Sequence, residues 1–577
     1  MAEENGKKES KVEGIKRGSR HLRGTIKETL AGPATHFDEP DANLLKFHGT
    51  YQQDDRDARR ALRDSGQEKA FMFMVRVAIP GGVVTADQYL KLDELADVCG
   101  NGSLRVTTRQ GFQFHGVLKE RLKETIAGVN QVLLTTISAC GDVERNVMAC
   151  PAPLDDEPHA LLRQTARDIA VQLRPASRAY YEIWLDEEEL VNTQEDEPFY
   201  GDTYLPRKFK TAISLDADNC VDVYNNDCGL IAIVEGGRIV GFNLLAGGGM
   251  GMTHGKANTI ARLAEPIGFV EPANAVEAVK TVAAIFRDSG NRADRRHARL
   301  KYVLQDRGVD WFIDEFRKRV SFSLAPSRPL PAPSYHDHLG KHSQGAGKFF
   351  YGLFIENGRI VDRDGERMRS ALKNVVQTYR PGLRLTPSQN ILLTDLDEAA
   401  VDGIERTLRA HGVRLVDELS AARRYSMACP ALPTCGLAMS ESERLMPSVV
   451  DRFEAELASL GMRDEPLTLR MTGCPNGCAR PYTADISFVG RRPDVYHVFV
   501  GGGMPGDRVA DLFAEDVATV DLVPTLRPLL TRWSKERRAG ERLSDFYQRL
   551  GGATVKRQFI TGNESPTASK LSLTVLP

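Results

Sequence analysis

Short apolar runs with alternating polar positions recur along the chain and predict strands, each followed by a stretch with a helical period. FMFMVRVAIPGG begins at Phe71 and FFYGLFIENGRIV begins at Phe349, and both end in a glycine-containing turn typical of hairpins. Helical stretches follow as ADQYLKLDELADVC and GERMRSALKNVVQTY, and ANAVEAVKTVAAIFRDSG has the apolar period of a core helix. Strands with segregated helices predict an α+β fold rather than a doubly wound one.

The same pattern occurs twice, which indicates an internal duplication. LRVTTRQGF and LRLTPSQNI, which start at Leu104 and Leu383, lie 279 residues apart. The same offset relates MACPAP to MACPAL, and AGGGMG resembles VGGGMPG at a shorter offset. Two such modules can pack around a pseudo-twofold axis with a large ligand at their interface. The segment 321–348 is rich in Pro, Ser, Gly and His and predicts a linker.

Composition narrows the class of protein. The chain has 577 residues, 41% hydrophobic and 27% charged, and a net charge of −2, which is typical of a globular protein with several domains. We therefore expect neither a nucleic-acid partner nor a membrane partner. The charged N-terminal segment lacks the apolar core of a secretory signal, so we expect a cytoplasmic location. Its first twenty or so residues are expected to be disordered or draped over the surface.

Four cysteines near the C-terminal end carry the strongest chemical signal. Cys429 and Cys435 lie in ACPALPTCGLAM, and Cys474 and Cys478 lie in RMTGCPNGCARPY. Four thiolates can hold an iron–sulfur cluster or a zinc ion, but C-x5-C is wider than usual zinc spacings. A disulfide is disfavoured because nine cysteines is an odd number. CPNGC predicts a turn, since Pro fixes φ and Gly allows positive φ. The remaining cysteines are interpreted as ordinary buried thiols: Cys99, Cys140, Cys150, Cys220 and Cys228.

Basic residues cluster in the first half of the chain. Arg76 interrupts an apolar strand, where a charge needs a partner or a ligand. TRQGFQFHG places Arg109, Gln113 and His115 on one strand face. Solvated surface cations are the alternative interpretation, but the clustering favours a polyanionic cofactor and a small anionic substrate. The cations concerned are Arg76, Arg105, Arg109, Arg145, Arg207, Lys208 and Lys210.

Together these motifs resemble a known family. ACPALPTC, TGCPNGCARPY, LPRKFKT and RQ-x-FQFHG are similar to those of assimilatory sulfite reductases, the siroheme and [4Fe–4S] enzymes of the sulfite/nitrite reductase family. The resemblance implies a six-electron reduction of sulfite to hydrogen sulfide and a three-domain arrangement around a central siroheme. It implies an N-terminal extension (1–65), a ferredoxin-like repeat (66–140), a siroheme- and substrate-binding domain (141–320), the linker (321–348), a second ferredoxin-like repeat (349–415) and a [4Fe–4S]- and siroheme-binding domain (416–577).

The resemblance also implies roles for individual residues. The four C-terminal cysteines would ligate the cluster, and Cys478 would also bridge a cluster iron to the siroheme iron. The cations that would bind sulfite are Arg76, Arg145, Lys208 and Lys210. The residues at siroheme-contacting positions are Arg105, Arg109, Gln113, Arg207, Lys301, Gln389 and Asn476. His115 belongs to the same strand motif, as a cofactor contact or as a satisfied structural histidine.

Substrate and electron donor follow from the same resemblance. Sulfite carries more charge than nitrite, and Lys210 stands where nitrite reductases of the family usually have Asn. The alternatives are a ferredoxin-dependent nitrite reductase and, from another class, a non-catalytic zinc-binding protein. The chain lacks a convincing dinucleotide-binding fingerprint, so the electrons are expected from a partner. That partner is either an NADPH-oxidising flavoprotein subunit or a ferredoxin.

Overall fold

A computed structural model describes residues 8–186, 197–332 and 334–554. The chain divides into two compact units. The first unit contains the chain up to Gly249, Arg262–Leu419 and Pro433–Gly436, and the second contains Met250–Ala261, Ser420–Leu432 and the chain from Leu437 onward. Helices and β-sheets occur in both units, so the predicted α+β fold is confirmed.

The N-terminal part of the chain forms most of one antiparallel sheet and the helices around it, together with β3, which pairs with the other antiparallel sheet. Its elements are α1 (Lys11–Arg17), α2 (Ile26–Ala31), α3 (Glu39–Leu44), β1 (Thr50–Asp54), α4 (Arg59–Asp64), β2 (Phe71–Arg76), β3 (Val83–Val84), α5 (Ala86–Val98), β4 (Leu104–Val106), β5 (Phe112–Val117) and α6 (Leu122–Gln131). A mixed sheet with helices follows. Its elements are β6 (Met148–Ala149), α7 (Glu157–Gln172), α8 (Ala179–Trp184), β7 (Thr211–Leu215), β8 (Cys228–Glu235), β9 (Arg238–Ala246), β10 (Glu265–Val270), α9 (Ala275–Ser289), α10 (Leu300–Arg307) and α11 (Val309–Arg317).

The second half of the chain repeats this order. A second antiparallel sheet contains β11 (Gly340–Gly345), β12 (Lys348–Leu353), β16 (Gly382–Leu385) and β17 (Ile391–Leu396), and its helices are α12 (Met368–Tyr379) and α13 (Glu398–Ala410). The short strands between β12 and α12 are β13 (Arg359–Ile360), β14 (Asp362–Arg363) and β15 (Glu366–Arg367), of which β14 and β15 form a sheet of their own. A second mixed sheet comprises α14 (Ala421–Arg424), β18 (Ser426–Ala428), α15 (Met446–Ser459), β19 (Leu469–Thr472), β20 (Ile486–Arg492), β21 (Val495–Val500), β22 (Asp511–Ala518), α16 (Leu522–Glu536) and α17 (Leu543–Arg549).

The two antiparallel sheets of the first unit exchange a strand. Their orders are β1-β2-β5-β4-β13 and β11-β12-β17-β16-β3, so each sheet ends in a strand from the other copy. The hairpins predicted after Phe71 and Phe349 are therefore wrong, because the chain crosses to the other sheet after each glycine turn. Gly82 has φ +71, and a Cβ there would lie 2.5 Å from the Leu385 carbonyl oxygen. The crossing needs glycine at this position because a side chain would collide with the neighbouring strand.

The two mixed sheets have matching topology. In strand order they are β6-β7-β8-β9-β10 in the first unit and β18-β19-β20-β21-β22 in the second. In each, the first three strands run parallel and the last two are antiparallel additions. The repeated glycine motifs AGGGMG and VGGGMPG occupy the ends of β9 and β21. The structure thus supports the duplication inferred from sequence.

The first helix corrects one expectation about the N-terminal segment. Glu13 and Lys16 of α1 are buried, and their side chains form an ion pair with an N–O distance of 2.6 Å. Arg292 donates to the same Glu13 carboxylate at 2.5 Å. Because buried charges need such partners, α1 packs into the first unit, and the expectation of disorder is wrong for residues 11–17. Residues 1–7 lie outside the described part of the chain.

The predicted core helix is present, and the predicted linker contains a strand. The helix with the apolar period is α9, whose core side includes Val279, Val282 and Phe286, as predicted. Part of the segment expected to be a linker forms strand β11. None of the helices in the described ranges combines the length and apolarity that crossing a membrane requires. The predicted domain boundaries stay predictions.

A buried ion pair connects the helices of the two copies and generates a stability prediction. Asp93 of α5 is fully buried, and its carboxylate accepts from Arg369 Nε at 2.6 Å and lies 3.0 Å from Lys373 Nζ, both on α12. Asp93→Ala leaves two cations without this partner, so we expect the free energy of unfolding to fall by ~3–5 kcal/mol in urea titrations.

Asp97→Ala is the matched control because it removes a second carboxylate from the same Arg369. The Asp97 side chain is 51% exposed, so its loss is expected to cost at most ~1 kcal/mol. Equal costs for the two variants would contradict the assignment of the buried pair as the main connection.

Candidate functional site

Two of the predicted ligand cysteines lie at the same edge of the second mixed sheet. Cys429 follows β18 directly, and Cys474 lies just after β19, its parallel neighbour. The backbone N–H of Gly473 donates to Cys429 Sγ at 3.4 Å. Both thiols are buried. Parallel strands bring their carboxyl ends to one edge, so the fold of this unit places these two sulfurs together.

The CPNGC segment forms the predicted turn. Gly477 adopts φ +64, the left-handed conformation that glycine accepts most readily. Asn476 Nδ2 donates to Cys474 Sγ at 3.5 Å. Cys478, at the end of the turn, is exposed in contrast to Cys429 and Cys474. A buried thiol and an accessible thiol thus lie on one short turn.

Cys435 lies on the short segment Pro433–Gly436, which belongs to the first unit. Arg56 holds this segment through two bonds: its backbone N–H donates to Pro433 O at 3.2 Å, and Nη1 donates to Cys435 O at 3.0 Å. The sequence contains no signal for this role of Arg56, because its hydrogen bonds are made to backbone carbonyls far along the chain.

Two of the predicted substrate cations, Arg76 and Arg145, surround one short loop and are called the arginine pair. Arg76 Nη1 lies 3.0 Å from Cys140 Sγ, and Arg145 Nε donates to Gly141 O at 2.8 Å. Tyr51 hydrogen bonds with Arg145, and its ring centroid lies 5.8 Å from the Arg76 guanidinium carbon. Burial raises the pKa of Tyr51, so its hydroxyl stays protonated. The sequence does not distinguish Cys140 from the other isolated cysteines, because it belongs to no closely spaced pair of cysteines.

The strand next to the arginine pair carries Gln113 and His115. Register pairs Gln113 with Arg76 on one side and with Arg105 on the other. The Gln113 amide oxygen, oriented toward Arg76, accepts from its Nε at 2.9 Å. Both ring nitrogens of His115 are buried without a hydrogen-bond partner among the described residues. Burial, followed by the charges of Arg359, Arg105 and Arg76, lowers the pKa of His115 well below its usual range. The two interpretations of His115, as a cofactor contact and as a structural histidine, stay predictions.

A second set of cations surrounds Asp227 and is called the Asp227 group. Arg299 binds the Asp227 carboxylate through Nε at 2.9 Å and Nη2 at 2.6 Å. Lys301 Nζ donates to Gly249 O at 3.0 Å. Burial lowers the pKa of Lys301 well below its usual value, and the charge of Arg299 lowers it further. The cations of this group are Arg109, Lys208, Lys210, Arg299 and Lys301.

Lys210 shows how crowded the Asp227 group is. Burial lowers its pKa well below the usual value, and the charges of Lys208, Arg109 and Arg299 lower it further. Asp227 opposes this shift but does not outweigh it. An anion close to this lysine would favour its charged form and raise its pKa again.

Arg207 interacts with Tyr51, which contacts the arginine pair, and with Arg299 of the Asp227 group. Its Nη1 lies 3.7 Å from the carboxylate of Asp142. Gln389, the remaining predicted contact in this unit, is buried on the turn after β16 with φ +69. Gln110, at the corresponding place in the first copy, also has positive φ.

These surroundings fit the cofactors that the sequence resemblance implies. In the Asp227 group of the first unit several cations share one carboxylate, which suits the carboxylates of a tetrapyrrole and an oxyanion. In the second unit, thiols at the strand ends have the soft donor chemistry that iron–sulfur clusters require. The donor groups of each unit thus match a cofactor that the resemblance implies: cations for siroheme in the first unit and thiols for the cluster in the second.

Two protein-family models match this chain and assign it to a family. The model for the nitrite and sulphite reductase 4Fe-4S domain matches residues 165–324 and 420–565. The model for the nitrite/sulfite reductase ferredoxin-like half domain matches residues 65–132 and 341–411. The chain belongs to the nitrite and sulfite reductase family. The matched ranges contain most strands of the two antiparallel and the two mixed sheets, so family and fold agree.

Individual relatives resemble this chain over most of its length. The sulfite reductase [NADPH] hemoprotein beta-component of Staphylococcus saprophyticus is 43% identical, over 94% of this chain and 95% of its own. The sulfite reductase [ferredoxin] of Synechococcus elongatus is 46% identical, over 95% of this chain and 90% of its own. The structure of Mycobacterium tuberculosis NirA matches with a TM-score of 0.76 and 25% identity, over 93% of this chain and 95% of its own.

The comparisons confirm several sequence predictions. Membership of the family and the duplicated α+β fold are confirmed, and the [4Fe–4S] cluster and the heme-type cofactor are supported by the family description and by the hemoprotein relatives. A non-catalytic zinc-binding protein, the alternative from another class, is wrong.

The buried carboxyl of Glu144, whose pKa is influenced by Arg109 of the Asp227 group, predicts a pH dependence of stability. Thr211 donates to Glu144 through its backbone N–H at 3.2 Å and through Oγ1 at 2.8 Å. Burial nevertheless raises the pKa of Glu144 from 4.5 to about 8. Between these pH values the folded state holds a proton that the unfolded state has lost, so the contribution of Glu144 to stability decreases as pH rises to 8.

We expect Glu144→Gln to remove this pH dependence. In wild type, the free energy of unfolding from urea titrations should include a decrease of ~2–5 kcal/mol from pH 5 to pH 8 that the variant lacks. Glu235→Gln, at a side chain 60% exposed, is the control and should keep the wild-type profile. A variant with an unchanged profile would show that Glu144 is ionised throughout.

Proposed function

We propose that this chain is an assimilatory sulfite reductase that reduces sulfite to hydrogen sulfide with siroheme and a [4Fe–4S] cluster. The observation that carries the proposal is the set of cations gathered around Asp227 in the first unit, in a chain whose family and relatives are reductases of this type. Sulfite is the preferred substrate because a dianion gains more from this charge than nitrite does. We place the reaction in the cytoplasm, where thiols stay reduced.

The cations have two proposed tasks toward the substrate. Arg76, Arg145, Lys208 and Lys210 bind the oxygens of sulfite and neutralise negative charge as electrons are added. The arginine pair suits positioning, since guanidinium groups remain charged and both are held by bonds to one loop. An oxyanion bound there is fixed in orientation because its partners cannot rotate freely.

Proton supply is the second task. Removing oxygen from sulfite consumes protons, and each must come from a group near the substrate. Lys210 suits this role because burial and neighbouring cations lower its pKa. Binding of an anion restores its proton affinity, so substrate binding itself loads the donor. Tyr51 keeps its proton and provides a hydrogen-bond donor beside Arg145.

The remaining predicted residues would hold the cofactors. Cys429, Cys435, Cys474 and Cys478 would ligate the cluster, and Cys478 would also bind siroheme. When bound, the two cofactors supply the electron-transfer chemistry. The proposed siroheme contacts are Arg105, Arg109, Gln113, His115, Arg207, Lys301, Gln389 and Asn476. The unsatisfied ring nitrogens of His115 support its inclusion, since a cofactor polar group would satisfy them.

Replacing one lysine tests the choice of substrate. With Lys210→Asn we expect kcat/KM for sulfite to fall ~10²-fold and kcat/KM for nitrite to fall much less, because sulfite carries more charge to be neutralised. Rates are measured with reduced methyl viologen as the artificial donor. Lys318→Asn, at a side chain 66% exposed, is the control and should leave both rates unchanged. Equal losses for both substrates, or a wild-type preference for nitrite, would contradict the assignment.

The electron donor is tested by sulfide production. Relatives with both donor types are similar to this chain, so purified protein is supplied either with reduced ferredoxin or with NADPH and a flavoprotein reductase. We expect sulfide from sulfite with one donor at a rate at least ~10-fold above the other, because docking geometry is specific to the partner. No sulfide with either donor or with methyl viologen, in protein that contains siroheme, would overturn the proposed function.

A further inference from the structure

A second cluster of potential metal ligands lies in the first unit, at the carboxyl edge of its mixed sheet. Cys150 follows β6 directly, and Asp218 and Cys220 lie in the loop after β7. β6 and β7 are parallel neighbours, with Ala149 paired to Ile213. The fourth residue, His338, comes from the segment just before β11. None of these residues has a role in the proposed reaction.

The ligand atoms of these four residues are close enough to share one ion. All four lie within 4.8 Å of one another. Cys150 Sγ lies 3.9 Å from Asp218 Oδ2, and that oxygen lies 3.2 Å from His338 Nε2. From standard bond lengths, the ligand atoms of a tetrahedral zinc site are about 3.4–3.8 Å apart. The cluster therefore needs only small adjustments to close around an ion.

The cluster is shielded from solvent. Cys150, Cys220 and Asp218 are each less than 9% exposed. Buried polar and ionisable groups need partners, because water cannot satisfy them. A divalent cation at the centre would be a common partner for all four ligand atoms.

The surrounding residues support ligation. His159 bonds to Cys150, and its Nδ1 lies 2.8 Å from the Asp156 carboxylate, which fixes the ring. The backbone N–H of His336 donates to Asp218 Oδ1 at 3.2 Å. Groups that orient ligands in this way are characteristic of metal sites. His338 itself has φ +57, an unfavourable conformation for histidine that holds its ring toward Asp218.

The duplication provides an independent argument. Cys150 and Cys429 occupy the same place, directly after β6 and β18, the corresponding edge strands. Cys220 and Cys478 stand the same number of residues before β8 and β20. Asp222 and Arg480, two residues further on, both adopt the left-handed conformation. The first copy thus places two thiols where the second copy places two of its proposed cluster ligands.

We propose that Cys150, Cys220, Asp218 and His338 bind a structural zinc ion in the first unit. Two thiolates, one imidazole and one carboxylate in a tetrahedral set are typical zinc donors, and four protein ligands leave no open position for catalysis. Under this proposal Cys150 and Cys220 are metal ligands instead of the ordinary buried thiols that the sequence predicts. The ion would attach the segment before β11, through His338, to the mixed sheet and thereby fix the connection between the two copies.

Metal analysis of the wild-type holoprotein tests this site without using activity. Untagged protein is dialysed against a weak chelator, and zinc and iron are measured together by mass spectrometry. We expect about one zinc per chain. X-ray absorption at the zinc edge should show two sulfur ligands at ~2.3 Å and two nitrogen or oxygen ligands at ~2.0–2.1 Å. Because siroheme and the cluster contain iron, their loss is measured separately from loss of zinc.

Variants locate the ion. Cys220→Ser and His338→Gln should each reduce zinc to below ~0.1 per chain after the same dialysis, while iron content stays at the wild-type value. Cys99→Ser, which changes another buried cysteine outside the cluster, is the matched control and should keep its zinc. The wild-type absorption spectrum decides the matter even if a cluster variant fails to fold.

Three results would overturn the proposal. These are wild-type protein with less than ~0.1 zinc per chain, a zinc edge without sulfur ligands, and a Cys150–Cys220 disulfide in peptide maps of protein alkylated without reduction. The proposed sulfite reduction stands or falls independently, since sulfide production is measured on iron-replete protein irrespective of zinc.

Discussion

The parallel pairing of two short strands is the constraint on which both chemical centres of this chain depend. Parallel neighbours end at the same edge of a sheet, so residues just beyond them are brought together however far apart they lie in sequence. In the second unit this pairing brings Cys429 beside Cys474. In the first unit it brings Cys150 beside the loop of Asp218 and Cys220. The duplication has therefore preserved a backbone geometry that can place ligands, while the residues it places have diverged.

Charge burial is the second organising feature. Arg145, Arg299 and Lys301 are buried, and the neighbouring Arg76, Arg109, Lys208 and Lys210 are half-buried. Burial and the charges of the neighbouring cations lower the pKa values of Lys210 and Lys301. Cations that are brought together and partly removed from water are expensive to desolvate. The binding of anionic groups offsets this cost, so the feature that reduces stability also provides affinity for anions.

Strand exchange connects the two copies within the first unit. Each antiparallel sheet is completed by a strand of the other copy, and Asp93 connects α5 to α12 across the same pair of copies. The copies cannot separate without breaking both sheets. Residues from distant parts of the chain, such as Gln113 and Arg359, are thereby held in one fixed arrangement around His115. Such fixed surroundings suit a large cofactor, which binds best to groups that need no rearrangement.

Local pattern was sufficient to predict much of this protein. The strand at Phe71, the helix at Ala275, the CPNGC turn, the duplication and the cysteine motif all depend on residues near one another in sequence, where periodicity, glycine and spacing are informative. The partners of those elements were decided by tertiary structure. The strands after Phe71 and Phe349 pair across copies instead of folding back, Arg56 holds the Cys435 segment, and Cys150 meets His338. Sequence patterns report the preferences of single segments, whereas these pairings follow from how segments distant in sequence pack together, which no local pattern contains.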